Sequence, residues 1–240
     1  MPPTRRERMR DATQLEIKEA ARRHLRAHGP AGISLRAIAR DIGMTAPALY
    51  RYYSSLDDLV SAMIESFTDE LSDTMEAARD ELPADDIGGR LVTVTRTFRR
   101  WALDHRAEFT LVFGAPVPAF GTSPQTGFPA AGGRFAGIFF TLFTELWRRQ
   151  PFAVPSDEEI PTRLRSQLRS FAASCGADDA GLPLGVIRMY AASWVKLYGL
   201  VTMEVFGHVQ FLLHDAEALF EAELMDLGMA VGVKPKPAVP

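Results

Sequence analysis

Residues 34–53 read SLRAIARDIGMTAPALYRYY, a stretch of two short helical segments that meet at Gly43. Ser34 and Thr45 are residue types that favour the N-cap of a helix, so each predicts the start of one segment. Glycine adopts the backbone angles of a tight turn at little cost, and the small Ala39 allows the two segments to approach closely. The stretch therefore predicts a helix-turn-helix motif, in which Ile38, Ile42 and Leu49 close the contact between the helices.

The sequence on both sides of this motif has helical periodicity. Thr13 and Glu16 form a potential capping box, which predicts a first helix from Thr13 to the break at Gly29–Pro30. Ser55 is expected to cap a fourth helix, whose first turn carries Asp57 and Asp58. No alternating strand pattern is present. We predict an all-α protein, with later helices over about 90–105, 134–149, 183–209 and 214–231, a short helical turn at 109–113 and a further helix that ends before Gly176.

Charge is distributed unevenly along the 240 residues. The net charge is −3, yet residues 1–55 carry 11 basic and five acidic side chains, whereas residues 56–240 carry 16 basic and 25 acidic ones. An average near zero argues against a nucleic-acid partner. A basic segment of +6 attached to an acidic remainder of −9 is instead compatible either with a polyanion partner for the basic segment or with a solvated basic tail.

The same patterns predict the domain organisation. We expect a helix-turn-helix domain with a basic N-terminal arm at 1–55, a connecting helix at 56–82, a larger helical domain at 83–232, and a disordered tail at 233–240. No secretory signal and no continuous apolar run of about 20 residues occurs, so a cytoplasmic location is expected. A single cysteine, Cys175, excludes a disulfide scaffold and a cysteine-rich metal site, and no cofactor or metal is expected.

The second helix of the motif is expected to enter the major groove of DNA. Its exposed face offers hydroxyl groups and the Arg51 guanidinium, which suit phosphate oxygens and a guanine edge, and small apolar groups at Ala46 and Pro47 that suit a thymine methyl. Tyr50 is expected to contact phosphate, whereas Tyr53 is expected to pack inside the domain.

The order of these residues resembles the N-terminal domain of the TetR family of bacterial transcriptional repressors. The resemblance covers residues 13 to about 64 and rests on Ala20-Ala21, Leu25, Gly29, Ser34, Ile38-Ala39, Gly43, Leu49-Tyr50-Arg51-Tyr52-Tyr53, Ser55 and Leu59. It implies a repressor that binds a near-palindromic operator as a homodimer and releases it when a small molecule enters the C-terminal domain.

The resemblance also implies the DNA-contacting residues. Family members usually carry a lysine directly after the position of Ser55, where it holds a phosphate, but this chain has Leu56. Arginines of the N-terminal arm are candidates to replace that contact, and a solubilising tail is the alternative role of the arm. The predicted DNA-binding residues are Arg5, Arg6, Ser34, Arg36, Thr45, Ala46, Pro47, Tyr50, Arg51 and Tyr52.

The C-terminal region is predicted to hold the effector pocket and the dimer interface. Its segment from Tyr190 to His208 is apolar nearly all round and resembles a TetR subgroup with a Trp and a His-Gly pair, although Tyr198 replaces the histidine. The expected effector is small and apolar or aromatic. The predicted ligand-binding residues are Trp101, His105, Phe109, Phe113, Phe139, Phe143, Tyr190, Trp194 and Tyr198.

Several alternatives remain open at this level. For the polar residues His105, Tyr190, Tyr198, Glu204 and His208, a structural role in the core or at the surface is favoured over ligand contact. The Gly- and Pro-rich segment 114–133 is either a pocket entrance or a disordered loop. A DNA-binding regulator without an inducer, and an all-α carrier or enzyme, are the alternative functions. No catalytic motif supports an enzyme.

Overall fold

The computed structural model describes residues 4–114, 130–174 and 181–234, and all its regular elements in these ranges are helical. The chain divides into two compact units, Met1–Glu70 with His105–Thr122 and Leu71–Asp104 with Ser123–Pro240. The α-helices are α1 (Arg5–His28), α2 (Leu35–Asp41), α3 (Ala46–Tyr50), α4 (Leu56–Asp80), α5 (Ile87–Asp104), α6 (Arg106–Phe113), α7 (Ala130–Arg149), α8 (Thr162–Ser174), α9 (Leu184–Val205) and α10 (Glu217–Ala230).

The first unit contains α1, α2, α3, the N-terminal part of α4, and α6. Helix α1 packs against α2 and α6, and α2 packs against α3. Its core consists of apolar side chains at helical spacing, of which Ile17, Leu25, Ile38, Leu49 and Leu59 are completely buried. The helix-turn-helix motif is therefore fixed by the burial of one apolar face from each helix.

The first helix is longer than predicted. It begins at Arg5 rather than at Thr13, because Thr4 and Glu7 form the capping box and no glycine or proline interrupts residues 5–28. The hydroxyl of Thr13 instead donates to the carbonyl of Met9 within the helix. The expected N-terminal arm is thus helical from Arg5 onward.

The turn between α2 and α3 follows the prediction. Gly43 has φ of +67°, in the left-handed region that side chains with a Cβ rarely adopt. The amide of Met44 donates to the carbonyl of Ala39 at 2.8 Å, which satisfies the end of α2. Ala39 is itself buried, as expected for a residue beneath a close helix approach.

The second unit is built around α9, which packs against α5, α7, α8 and α10. Aromatic rings fill the space between α5, α7 and α9. The ring centroids of Trp194 lie 6.1, 5.6 and 5.6 Å from those of Phe98, Phe135 and Phe139. These distances are typical of interlocked aromatic packing, so the cluster joins α5, α7 and α9.

Other predicted boundaries also differ from the structure: α5 begins at Ile87 rather than 90, and α6 begins at Arg106 rather than 109. Helix α7 begins at Ala130, inside the predicted loop, because no proline occurs from 130 to 149; residues 115–129 of that loop lie outside the described residues. Helix α9 ends at Val205 rather than 209, because Gly207 turns the chain with φ of +73°. Val233, placed in the predicted tail, is buried, and residues 235–240 lie outside the described ranges.

Candidate nucleic-acid interface and apolar cavity

Helix α3 presents a polar face to solvent. Leu49 is completely buried and anchors the helix, while Thr45, Pro47, Tyr50 and Arg51 are exposed. Thr45 is the N-cap, and its hydroxyl oxygen accepts a hydrogen bond from the amide of Ala48. The predicted recognition residues Thr45, Pro47, Tyr50 and Arg51 are therefore accessible, whereas Ala46 and Tyr52 are half-buried.

The start of α2 adds further polar groups to the first unit. Ser34 occupies the N-cap position but its side chain makes no capping hydrogen bond to α2, and Arg36 in the first turn is also exposed. A hydroxyl and a guanidinium at this position suit phosphate oxygens. Both predicted residues are thus accessible for such contacts.

The three tyrosines of the motif differ in burial. Tyr50 is exposed, Tyr52 is half-buried, and Tyr53 is 7% exposed. Burial raises the pKa of the Tyr53 phenol above its usual range. Tyr53 packs inside the unit as predicted, which leaves Tyr50 as the most accessible phenol of the motif.

The beginning of α4 carries no cation. Leu56 is its first residue and is exposed, followed by the exposed Asp57 and Asp58. The amide of Asp58 donates to the Ser55 hydroxyl, which confirms the predicted cap, and hydrogen bonding from Ser54 holds the pKa of the Asp58 carboxyl below its usual range. Basic groups are instead found at the N-terminus of α1, where Arg5 and Arg6 are exposed.

A network of charged residues joins three helices of the first unit. Arg22 of α1 donates through Nε to Oε1 of Glu108 in α6 at 2.6 Å, and its two terminal nitrogens donate to the Glu70 carboxylate in α4 at 2.8 and 3.0 Å. Nε of Arg26 also lies 2.6 Å from Oε1 of Glu108. Sequence reasoning missed this network, because the partners are separated by 48 to 86 residues.

An apolar cavity of about 60 Å³ lies in the second unit. It is lined by side chains from α5, α7, α9 and α10 and from the two valines that follow α10. A site for one water needs roughly 10–15 Å³, so this cavity has room for a group larger than a single water. None of the described side chains that line it is charged.

The structure brings together only some of the predicted pocket residues. Five of them line the cavity, namely Phe139, Phe143, Tyr190, Trp194 and Tyr198. Trp101 is buried elsewhere in α5, and the other three predicted residues, His105, Phe109 and Phe113, belong to the first unit.

Other lining residues were missed. Leu91, Val92 and Thr95 of α5 and Leu224 and Leu227 of α10 also line the cavity. The helical spacing of these residues identifies an apolar face but not which part of that face borders empty space.

A few hydroxyl groups provide the polarity of the cavity. The Thr95 hydroxyl donates to the carbonyl of Leu91 at 2.8 Å, and the Tyr190 hydroxyl lies 3.5 Å from the carbonyl oxygen of Ala136. Burial raises the pKa of the Tyr198 phenol, partly offset by a hydrogen bond with Thr202. The lining therefore combines aromatic surface with neutral hydroxyls from Thr95, Tyr190, Ser193 and Tyr198.

Glu204 has a structural role outside this lining. Its carboxylate accepts two hydrogen bonds from Arg99 of α5, at 2.8 and 2.6 Å. His208, the other polar residue considered from sequence, is exposed. No group of three or more His, Cys, Asp or Glu able to hold a metal occurs within the part of the chain that the structure describes. Among the same residues, no helix is long and apolar enough to cross a membrane.

Comparisons with known proteins agree with this architecture. Residues 17–63 match the family described as "Bacterial regulatory proteins, tetR family", and residues 91–227 match "Tetracyclin repressor-like, C-terminal domain". HTH-type transcriptional regulators Rv1816 of Mycobacterium tuberculosis and Mb1846 of Mycobacterium bovis are each 31% identical over 217 residues, which cover 89% of this chain and 90% of theirs.

Solved structures are similar across nearly the whole chain. The crystal structure of the regulatory protein SCO4313 has a TM-score of 0.71 and 26% identity, and the alignment covers 93% of this chain and 98% of that one. RolR in complex with resorcinol shares the fold, with a TM-score of 0.56, 13% identity and coverage of 97% and 99%. The family matches and the mycobacterial relatives make the protein a regulator rather than an enzyme. The chain belongs to the TetR family of DNA-binding transcriptional regulators.

Proposed function

We propose that this regulator is a repressor that binds a near-palindromic operator as a homodimer and releases it when a small, uncharged aromatic molecule occupies the cavity. The observation that carries the proposal is the presence, in one chain, of an accessible polar recognition helix in the first unit and an apolar cavity in the second. A regulator acting on chromosomal DNA of a bacterium works in the cytoplasm, which is the location we propose.

The exposed groups of α2 and α3 support the proposed DNA contacts. Thr45, Tyr50, Ser34 and Arg36 provide hydroxyl and guanidinium donors for phosphates, and Arg51 provides a donor pair for a guanine edge. Arg5 and Arg6 extend the basic surface from the first turn of α1. With so few long polar side chains on α3, most of the affinity comes from phosphate contacts and is strongly salt-dependent.

Exposed apolar side chains near the end of the chain support a homodimer. Val195 and Met203 of α9, Met229 of α10, and Phe211 and Leu212 in the turn after α9 face solvent in the single chain, and Phe211 is 87% exposed. A second copy that covers these groups removes apolar surface from water. Because closed dimers are two-fold symmetric, the two α3 helices then read inverted half-sites about one helical turn apart.

The lining of the cavity defines the proposed effector class. A charged ligand would lose its hydration without gaining a partner, since the described lining side chains are neutral. Rings of Phe139, Trp194 and Tyr198 suit an aromatic ligand, and the hydroxyls suit one or two polar substituents. The structural neighbour RolR was solved with resorcinol, a ligand of this chemical class.

The proposed mechanism is a population shift. The effector binds more tightly to the conformation of the dimer that cannot span two half-sites, and it therefore withdraws protein from the operator. A ligand with equal affinity for operator-bound and free dimer would have no effect on release.

The first experiment tests DNA recognition. Duplexes selected by the wild-type protein from a random library serve as probes in a gel-shift assay. The double variant Tyr50→Ala/Arg51→Ala is expected to lose about 10- to 100-fold in affinity with unchanged helical circular dichroism. Arg163→Ala, an exposed arginine of α8, is the matched control and should bind as the wild type does. Equal binding by the double variant would place the recognition surface elsewhere.

The second experiment tests the assembly. Light scattering after gel filtration should give twice the chain mass of 26.5 kDa. Phe211→Asp together with Val195→Asp should shift the protein towards the single-chain mass and weaken operator binding, because charge is then buried in the dimer contact. A variant that stays dimeric would contradict the proposed interface.

A further inference from the structure

The cavity of the second unit is smaller than the aromatic effector that we propose for it. Its volume is about 60 Å³, whereas an apolar cavity that admits a single benzene ring measures about 150 Å³. Protein interiors are close-packed, so neighbouring side chains do not supply the missing space without moving. Part of the lining must therefore move outward when an aromatic molecule binds. Which part moves depends on how each wall of the cavity is held.

The four helical walls are held to one another by strong contacts. Arg96 of α5 donates two hydrogen bonds to Glu221 of α10, at 2.9 and 2.6 Å. Arg99 of α5 binds Glu204 of α9 in the same two-pronged way. Helix α7 is held through its rings, which interlock with Trp194. Displacement of any of these helices breaks charge-assisted hydrogen bonds or separates packed rings.

The remaining wall follows α10 and is not helical. Val231 and Val233 both line the cavity and are both buried, and Gly232, with φ of +77°, turns the chain between them. The amide of Gly232 donates to the carbonyl of Met229 at 3.1 Å, and that of Val233 to the carbonyl of Gly228 at 2.8 Å, which is the Schellman pattern of a helix end. These bonds join the segment to the last turn of α10 and not to the other helices.

The contact of this segment with α5 is apolar. A Cβ atom at Gly88 would lie 2.9 and 3.0 Å from the two methyl carbons of Val233, so the valine side chain occupies the space that glycine leaves on α5. Valine has no polar group, and an apolar ligand can cover the surface that the side chain exposes when it withdraws. Of the walls of the cavity, this one is therefore displaced at the lowest cost.

We propose that Val231 and Val233 form a displaceable wall of the effector cavity, and that the contact of Val233 with Gly88 limits the size of the aromatic molecule that the cavity admits. The proposal rests on the cavity being the effector site. A molecule with two fused rings requires a larger outward movement of the wall than a molecule with one ring. Val233 thus contributes to the discrimination between effectors of different size.

A reversible disulfide tests whether the wall must move. A Cβ at position 88 would lie 3.5 Å from the Cβ of Val233, within the range of roughly 3.5–4.5 Å that a disulfide requires. Gly88→Cys/Val233→Cys, in a Cys175→Ser background that removes the native thiol, should hold the wall closed when oxidised and release it when reduced. Calorimetry with 1-naphthol should show binding at least tenfold weaker for the oxidised form than for the reduced form.

The control for this experiment is the Cys175→Ser single variant, which should bind 1-naphthol equally well with and without reductant. Equal binding by the oxidised and reduced forms of the disulfide variant would overturn the proposal, because the cavity would then accept the ligand with its wall closed.

Hydrogen exchange followed by mass spectrometry identifies the wall that moves in the wild type. Saturating 1-naphthol should speed exchange at residues 231–234 at least threefold, because the segment then leaves the end of α10. It should slow exchange at residues 190–198, where α9 lines the cavity. Slower exchange at 231–234 in the presence of the ligand would mean that the wall stays in place, and would overturn the proposal.

If the disulfide does not form, Val233→Ala decides the question. The smaller side chain withdraws from Gly88 more easily, so 1-naphthol should bind at least threefold more tightly, whereas the affinity for phenol should change less than twofold. Val209→Ala, at a valine of similar burial outside the cavity lining, is the matched control and should bind both probes as the wild type does. Unchanged or weaker binding of 1-naphthol by Val233→Ala would overturn the proposal.

The outcomes separate this proposal from the proposed function. Binding of 1-naphthol that is insensitive to the disulfide would leave the effector site intact and reject only the displaceable wall. Failure of the wild type to bind either 1-naphthol or phenol would reject the proposed aromatic effector, and the displaceable wall with it.

Discussion

The Nε atom of Arg22 in α1 lies 2.6 Å from Oε1 of Glu108 in α6, although 86 residues separate them in the sequence. The carboxylate is completely enclosed and the guanidinium is largely so. The same arginine binds Glu70 in α4 with its other two nitrogens. Three helices of the first unit are therefore joined through one side chain, and its removal should affect stability far more than the loss of a surface ion pair.

Arg22→Met should be strongly destabilising. The substitution leaves the buried Glu108 carboxylate with Arg26 as its remaining arginine partner. It also removes the two hydrogen bonds that the Arg22 guanidinium donates to the Glu70 carboxylate. Breaking a buried ion pair in this way typically costs about 3–5 kcal/mol in the free energy of unfolding. Urea denaturation followed by circular dichroism measures the change.

Arg26→Met is the matched control for that measurement. The Arg26 side chain is 52% exposed, and Glu108 keeps its bond to Arg22 when Arg26 is removed. The expected loss is about 1 kcal/mol, in the range of a partly exposed pair. If Arg22→Met and Arg26→Met lost the same unfolding free energy, the central position of Arg22 in the network would be contradicted.

The pH dependence of stability should report the Glu108 charge. Burial alone raises the pKa of this carboxyl, but hydrogen bonds from Arg22 and Arg26 outweigh it and bring the pKa below the ordinary value of 4.5. A carboxyl with a lowered folded-state pKa stabilises the protein above its unfolded-state pKa, and this contribution is lost as the pH falls through the folded-state pKa.

The comparison of wild type with Glu108→Gln isolates this effect. The difference in unfolding free energy should be constant around neutral pH and should shrink as the pH drops below 4.5. Both proteins share all other titrating groups, so those contributions largely cancel. A difference that widens on acidification would mean that the folded-state pKa of Glu108 is raised instead.

Gly43→Ala should destabilise the turn before α3. The φ of +67° is strained for alanine, while the space around an added Cβ is open, so the cost comes from the backbone alone. We expect a loss of about 1 kcal/mol, together with weaker duplex binding. Gly137→Ala in α7, also with open space, should instead stabilise by about 0.5–1 kcal/mol. Thermal unfolding should give a lower melting temperature for Gly43→Ala and a higher one for Gly137→Ala than for the wild type.

Leu56→Lys should strengthen DNA binding. Leu56 is the exposed first residue of α4, and it stands where family members usually carry a phosphate-binding lysine. Each added phosphate contact should steepen the slope of log affinity against log salt by about 0.9. Leu56→Gln removes the apolar side chain without adding charge and serves as the control. An unchanged salt slope for the lysine variant would show that this end of α4 does not face phosphate.

Trp194→Leu should remove affinity for neutral aromatic molecules. The Trp194 ring lines the cavity and stacks on Tyr198 with centroids 5.4 Å apart. With 1-naphthol as the probe, calorimetry should show binding weakened at least tenfold relative to wild type, or about 1.4 kcal/mol. Trp147→Leu is the control, since Trp147 packs on Phe152 and is not part of the cavity lining. Equal loss in both variants would indicate general destabilisation rather than a binding site.

Local signals in the sequence were sufficient for the helix-turn-helix motif. Thr45, Gly43 and Ser55 each act on neighbouring backbone groups, so their roles follow from residue type and spacing. The start of α1 was predicted wrongly because two capping boxes compete, and the one at Thr4 prevails when no residue interrupts the helix between them. When one segment contains two capping boxes, the boxes themselves do not indicate which of them lies at the N-terminus of the helix.

The sequence by itself determined the helical class, the positions of the short helices and the basic character of the first 55 residues, because these depend on hydrogen bonds and charges within a few residues. Tertiary structure alone decided that Phe139 and Trp194 border a cavity while Phe109 lies in the other unit, and that Glu108 meets Arg22. These relationships depend on which faces of distant helices pack together. Helical periodicity identifies an apolar face, but not the partner that covers it.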